Sequence, residues 1–166
     1  MLEKIAEHLT VFDLIPITQE NYMDVWDVYK TNNAYFLAAH GKNVEPANIL
    51  QTWGRLVDGY DASRQLFFGL WQDGTPLAVI ELLPHFPEKQ ILWFSEIIIH
   101  VKLQRSGLAT KIVQAVIKVA QKDGQHVKIH LGVGNENPAA KIFWQKMGFT
   151  AIQEYDDGIV MQITLD

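Results

Sequence analysis

The sequence contains no cysteine. That excludes a disulfide framework, a thiol nucleophile and any zinc site built on thiolates. It also lacks an apolar run long enough to span a bilayer. The longest, ILWFSEIIIHV (91–101), is interrupted by Glu96 and falls well short of the ~20 residues a membrane helix needs. The amino-terminal MLEKIAEHLT carries acids and has no apolar stretch of the signal-peptide kind. No low-complexity linker and no internal repeat divides the chain. These absences predict one soluble, cytoplasmic domain over residues 1–166 with no membrane partner. The composition agrees, since 48% hydrophobic and 20% charged residues suffice for one substantial core.

The net charge of −5 is unevenly spread. Residues 101–146 hold eight basic and two acidic side chains, whereas the rest of the chain holds six basic and seventeen acidic ones. A basic stretch is often only the solvated face of a helix. Here it coincides with a glycine loop described below, which points to a polyanionic ligand in that half. The acidic remainder argues against nucleic-acid binding and suits a cationic second substrate.

The chain alternates between two hydrophobic periods. VFDLIPI (11–17) reads as a first strand, and TQENYMDVWDVYK from Thr18 as a helix with Tyr22, Val25, Trp26 and Tyr29 on one face. NNAYFLAAHGKN (32–43) reads as a loop or broken helix. Pro46 opens a second helix that turns Ile49, Leu50, Trp53, Leu56 and Val57 inward. QLFFGLW and TPLAVIELL flank an Asp-Gly turn and form a hairpin, and 91–101 is a fourth strand. Residues 107–122 repeat Leu108, Ile112, Val116 and Val119 at helical spacing, with Gly124 just past the end. HVKIHLGV (126–133) is a fifth strand, Pro138 opens a short helix that stops at Gly148, and FTAIQEY and IVMQITL close the chain as a hairpin. The expected architecture is α/β (α+β): a mixed, mostly antiparallel sheet of six or seven strands, with strands four and five parallel across a helical crossover.

The loop LQRSGLAT (103–110) lies between the fourth strand and the clearest helix. It can be a plain tight turn. That is the commoner reading of such a loop taken alone; the other is a phosphate cradle, because a helix start leaves backbone N–H groups unpaired and carries roughly half a positive charge. Gly107 and the small Ala109 would let a diphosphate approach the amides of residues 104–109, with the Thr110 hydroxyl as a further donor. It is neither a Walker loop nor a dinucleotide fingerprint.

The neighbourhood of this loop carries more information. Q-R-S-G-L-A after a strand, with Glu96 eight positions before Gln104, resembles motif A of the GNAT (Gcn5-related N-acetyltransferase) superfamily, [RQ]-x-x-G-x-[GA]. NPAAKIFWQKMGF (137–149) resembles that family's motif B, with Asn137, Ala140, Gly148 and Phe149 in register. The resemblance implies helices on both faces of a sheet whose strands four and five splay apart, with acetyl-CoA as acyl donor in the gap and no metal. By the same resemblance the backbone of Ile97, Ile98 and Ile99 pairs with the pantetheine arm. Gln104, Arg105, Ser106, Gly107, Leu108, Ala109 and Thr110 hold the pyrophosphate. Asn137 and Ala140 lie on the pantetheine side, with Phe143 against the arm and Lys146 reaching for the phosphates; core packing and a solvated helix face are the respective alternatives for those two.

Acetyl transfer to an amine requires that an alkylammonium of pKa ~10.4 lose its proton. Glu96 is the leading candidate base, since an acid inside an apolar strand should reach water or carry a raised pKa; pairing with a basic residue or facing solvent is the alternative. Glu81 is the second candidate, and His100 and His130 are weaker ones. Trp144 departs from the family pattern, which often has a tyrosine there as general acid; an indole N–H cannot deliver a proton. Tyr155, Tyr60 and Tyr35 are possible substitutes. A thiol of pKa ~8.5 also leaves tolerably as thiolate without any acid.

The expected function is therefore acetyl-CoA-dependent N-acetylation of a primary amine of a small molecule or peptide, by direct attack in a ternary complex. A non-catalytic acyl-CoA sensor of the same fold is the alternative, as is another acyl chain or an oxygen acceptor. Acceptor choice is expected from residues 20–60, LLPHFPEK and the last hairpin, and β-edge pairing of that hairpin would give a homodimer.

Overall fold

A computed structural model describes residues 1–54 and 60–166. Seven strands form one sheet in the order β1-β2-β3-β4-β5-β7-β6. They are β1 (Asp13–Pro16), β2 (Leu66–Gln72), β3 (Thr75–Pro84), β4 (Ile91–Ile99), β5 (Lys128–Gly134), β6 (Thr150–Tyr155) and β7 (Gly158–Thr164). Every neighbouring pair is antiparallel except β4–β5, as the pattern of strand, helix and strand predicted.

Among the described residues six α-helices cover the two faces: α1 (Leu2–Ala6), α2 (Trp26–Thr31), α3 (Asn33–His40), α4 (Pro46–Gly54), α5 (Leu108–Asp123) and α6 (Pro138–Lys146). Helices α1, α5 and α6 pack on one face with Leu92, Phe94, Ile99, Ile129 and Leu131. Helices α2 to α4 pack on the other, around Val28, Tyr29, Phe36, Ile49, Val79 and Ile98. Helix α5 buries Leu108, Ile112, Val113, Val116 and Val119, each burial contributing roughly 1.5–3 kcal/mol. Gly124, in the left-handed conformation, ends it. Among the described residues no helix is long and apolar enough to cross a membrane.

The structure corrects several local readings. Residues 1–10 contain α1, whose Ile5 is fully buried against the α5 face. Thr18 starts no long helix: its N–H donates to Asn21 Oδ1 at 2.7 Å in a turn, and a short 3₁₀ helix (Tyr22–Val25) leads into α2. The segment 32–43 is largely the regular helix α3, ended by Gly41 at φ +68°. The fourth strand stops at Ile99, because residues 101–103 turn into a 3₁₀ segment. The Trp53 side chain, Leu56 and Val57, expected on the buried side of α4, lie outside the described residues.

At the far edge β6 is exposed along its whole length, with Ile152 and Tyr155 outward. A bulge between Ala151 and Gln153 interrupts its ladder, a feature that blunts edge-to-edge pairing.

One titrating contact joins the C-terminal end of α5 to the β3–β4 loop. His126, between α5 and β5, is buried with Nδ1 3.0 Å from Asp123 Oδ2. Its ring stacks on His85 of the β3–β4 loop at 4.8 Å, and its Nε2 has no partner among the described residues. Burial lowers its pKa, outweighing Asp123. Below its unfolded value of ~6.5 the unfolded chain takes up a proton that the folded chain resists, so stability falls as pH drops from there to the lowered folded pKa. Melting temperatures measured from pH ~7 to ~5 should decline through this window, and less steeply in His126→Leu.

Candidate active site

Strands β4 and β5 pair only from Ile91↔Lys128 to Phe94↔Leu131. Beyond Phe94, β4 continues to Ile99 on β3 alone, so among the described residues its other edge has no strand beside it. The His100 N–H donates to Leu77 O at 2.9 Å, which sets the parity of that ladder. Residues 98 and 96 turn their peptide groups to β3, and Ile97 and Ile99 turn theirs to the gap. The Ile99 carbonyl is taken by Asn32 Nδ2 at 3.0 Å and Gln104 Nε2 at 3.2 Å.

Below this open edge comes the glycine loop. Gly107 has φ +87° and caps α5, and a Cβ there would point into open space. Among the described residues the N–H groups of Gly107, Ala109 and Thr110 have no acceptor, leaving a set of donors on the positive end of a 16-residue helix. Ser106 is partly committed, since its hydroxyl donates to Leu103 O at 2.6 Å. Arg105 is exposed with φ +62°. Leu108 is buried in the core and offers only backbone. The Gln104 side chain points back to Asn32 Oδ1, at 2.8 Å, and to Ile99 O.

On the other lip, Asn137 caps α6, its Oδ1 accepting from Ala140 N–H at 3.0 Å. Phe143 is half-buried against the core. Lys146 is exposed in the last turn of α6, where a cation complements the helix dipole.

A bulge between Glu81 and Leu82 of β3 makes Ser95 the extra residue of β4. It shifts the alternation of the strand. Leu92 and Phe94 face the α5 side, but so do Ile97 and Ile99, and Ser95 and Glu96 both line a cavity on the α2–α4 side. This cavity, of about 370 Å³, is lined by Thr52, Glu81, Leu83, Phe86, Trp93, Ser95 and Glu96. Glu81 and Glu96 are cross-strand partners. Glu96 accepts a short hydrogen bond from the Tyr29 hydroxyl, and Glu81 one from Gln65 Nε2. Phe86 meets Trp93 edge-on at 5.7 Å and Tyr60 at 6.0 Å, giving an aromatic wall opposite the acids. Thr52 and Phe86 come from the segments expected to select the acceptor; the last hairpin does not contribute to the lining.

The histidines serve other roles. His100 Nε2 lies 3.0 Å from Asp27 Oδ2, and buried His130 bonds Gln162 Oε1 at 2.9 Å. Trp144 is buried among Phe94, Phe143 and Phe149, with centroids 5.0–5.2 Å away, so it belongs to the core beside the last paired residue of β4. Of the tyrosines considered in its place, Tyr155 is exposed on β6. Tyr60 donates to Pro84 O at 3.0 Å, and burial pushes its phenol up to about 12. Tyr35 on α3 is raised by burial first and then by the charges of Glu136 and Glu96.

An open parallel strand pair, a donor-rich helix start after β4 and a paired-acid cavity beside it form one arrangement, and residues 22–149 match the model of the acetyltransferase (GNAT) family. The chain belongs to that family. It is an acetyltransferase by that membership, and the family draws its acetyl group from acetyl-CoA. No curated protein sequence matches the chain. Solved structures share its fold. An acetyltransferase from Thermus thermophilus has a TM-score of 0.76 at 23% identity, covering 93% of this chain and 97% of that one. PaiA N-acetyltransferase from Thermoplasma acidophilum, bound to coenzyme A, has 0.65 at 14%, covering 92% and 98%. Spermidine N-acetyltransferase from Vibrio cholerae, with CoA and spermine, has 0.67 at 16%, covering 94% and 96%.

The glycine loop is directly testable in this GNAT chain. A left-handed conformation costs an L-residue about 1–2 kcal/mol, and a side chain at 107 fills the space in front of the donors. Gly107→Ala should lose about that much stability, and Gly107→Trp should abolish acetyl-CoA binding by calorimetry while its circular dichroism stays native. A folded Gly107→Trp that keeps its affinity would refute the cradle.

Proposed function

We propose that this protein transfers the acetyl group of acetyl-CoA to a primary amine of a small molecule or peptide, by direct attack within a ternary complex. The observation that carries the reading is the bulge at Ser95. It turns Glu96 into an acceptor cavity on one side of β4, while the peptide groups of Ile97 and Ile99 turn to the cofactor gap.

In this reading the pantetheine arm adds to β4 as a strand would, on the peptide groups of Ile97 and the N–H of Ile99. The pyrophosphate rests on the N–H groups of Gly107, Ala109 and Thr110. The amine arrives as an ammonium, which the aromatic wall of Phe86 and Trp93 and the acids of the cavity attract. Glu96, directly or through a water, removes one proton. The nitrogen lone pair then forms a C–N bond to the thioester carbon, and the carbonyl electrons move onto oxygen, where edge N–H groups can receive the charge. As the C=O re-forms, the C–S bond breaks, and its electron pair leaves with CoA as thiolate. The substituted nitrogen loses its second proton to solvent or base. No acyl-enzyme is needed.

The fold neighbour from Vibrio cholerae holds spermine. A polyamine belongs in the acceptor panel for this chain, beside monoamines, aminoglycosides and peptide amino termini.

Calorimetric titration with acetyl-CoA, followed by thiol release across that panel, tests the proposal. Binding with release establishes transfer and names the acceptor class, whereas absence of binding overturns the reading. Glu96→Gln should bind acetyl-CoA unchanged and lose about 10²-fold or more in kcat. Unchanged kcat would remove Glu96 as base.

A further inference from the structure

Helix α2 has only six residues, and a helix that short is held by its contacts rather than by its own propensity. Two side chains one turn apart make contacts that reach both halves of the site. Tyr29 is fully buried, with its ring 5.7 Å from Phe36, and its hydroxyl donates to Glu96 Oε1. Asn32, at the end of the helix, donates from Nδ2 to Val28 O at 2.8 Å and to Ile99 O at 3.0 Å. Its Oδ1 accepts from Gln104 Nε2 at 2.8 Å. Positions three apart share a helix face. One turn therefore grips β4 at Glu96 and at Ile99, and through Gln104 it grips the start of the glycine loop.

Neither side chain is explained by packing alone. A phenol can be buried at lower cost by replacing it with phenylalanine, unless its hydroxyl has work to do. Around the Tyr29 hydroxyl stand Glu96 on β4, Glu81 on β3 and Thr52 on α4. Glu96 in turn faces Tyr29, its partner Glu81 and, from α3, Tyr35. Burial first, and then Glu96, hold the Tyr29 phenol well above its ordinary pKa, so it remains a donor throughout the working pH range. A hydrogen bond donated to a carboxylate fixes its orientation and favours its charged form.

We infer that Tyr29 and Asn32 are a pair of positioning residues: Tyr29 aims the Glu96 carboxylate into the acceptor cavity, and Asn32 sets the Gln104 end of the cofactor loop against the open edge of β4. The inference rests on the reading of Glu96 as base given above. Acceptor-side helix and donor-side loop are thereby referenced to the same turn of α2, which fixes the distance between base and thioester.

Tyr29→Phe keeps the ring and removes only the hydroxyl. With the acceptor found above, its acid limb of kcat/KM should move up by about one pH unit, with acetyl-CoA affinity unchanged. Asn32→Ala should leave that limb in place and weaken acetyl-CoA binding about tenfold, the loss of one or two hydrogen bonds. Gln104→Ala breaks the same bond without touching α2 and should weaken binding as much, and the double variant no more than either single. An unmoved acid limb in folded Tyr29→Phe overturns the first half. Unchanged affinity in Gln104→Ala, or additive losses in the cycle, overturns the second. Failure of the underlying base assignment shows separately, as full activity in Glu96→Gln; that result removes the role of Tyr29 and leaves the Asn32–Gln104 coupling to stand or fall on its own cycle.

Discussion

The strand β4 has two neighbours, and it stays with only one of them. It remains on β3 from Leu92 to Ile99 but leaves β5 after Phe94. A bulge increases local twist, so the extra residue Ser95 turns the far half of β4 away from the line of β5. Beneath the parting point Phe94, Phe143 and Phe149 gather round the ring of Trp144 and fill the space with carbon. Peptide groups turned away from one strand without meeting another must find a partner elsewhere. The Ile99 carbonyl finds two, in Asn32 and Gln104. Those of Ile97 are left for water or for an extended ligand.

The same bulge decides which side of the sheet receives the acid. With strict alternation, Leu92, Phe94 and Glu96 would share a face, and the carboxylate would enter the core of α1, α5 and α6 among apolar side chains. Burying it there without donors would cost several kcal/mol. The inserted Ser95 sends Ile97 and Ile99 to that core instead and gives Glu96 to the cavity and Tyr29. One residue of register thus separates a destabilising charge from a usable one.

Much of this was legible in the sequence and some was not. The glycine loop, the α5 face and the start of α6 follow from local chemistry: Gly107 and Gly124 before and after an apolar period, and Pro138 at a helix opening. The phase change from Leu92 and Phe94 to Ile97 and Ile99 is written in ILWFSEIII, but only a sheet partner shows that it is a bulge and not a strand end. Helix α1 carries only Leu2 and Ile5 at helical spacing, too few residues to stand out. Helix α3 mixes alanines and aromatics all round, so no stripe identifies it. Tyr29 reads correctly as buried. That its hydroxyl belongs to a carboxylate 67 positions away is a fact of tertiary structure, invisible to any local pattern.

Trp144 shows how a change in one part of such a site shifts the burden to another. A tyrosine at 144 would need a partner for its hydroxyl among the rings of Phe94, Phe143 and Phe149. An indole fills the same room with more carbon and suits that cluster better. In the proposed reaction, what it gives up is a candidate proton donor for the leaving sulfur. Thioester chemistry tolerates this loss, because a thiolate of pKa ~8.5 is a competent leaving group at neutral pH. An amine of pKa ~10.4 has no corresponding latitude, since without a base almost none of it is nucleophilic. In the proposed reaction the demand on the protein then falls mainly on the side of proton removal. That is where this chain concentrates its structure: a bulge that turns Glu96 out of the core, and a buried phenol that holds it.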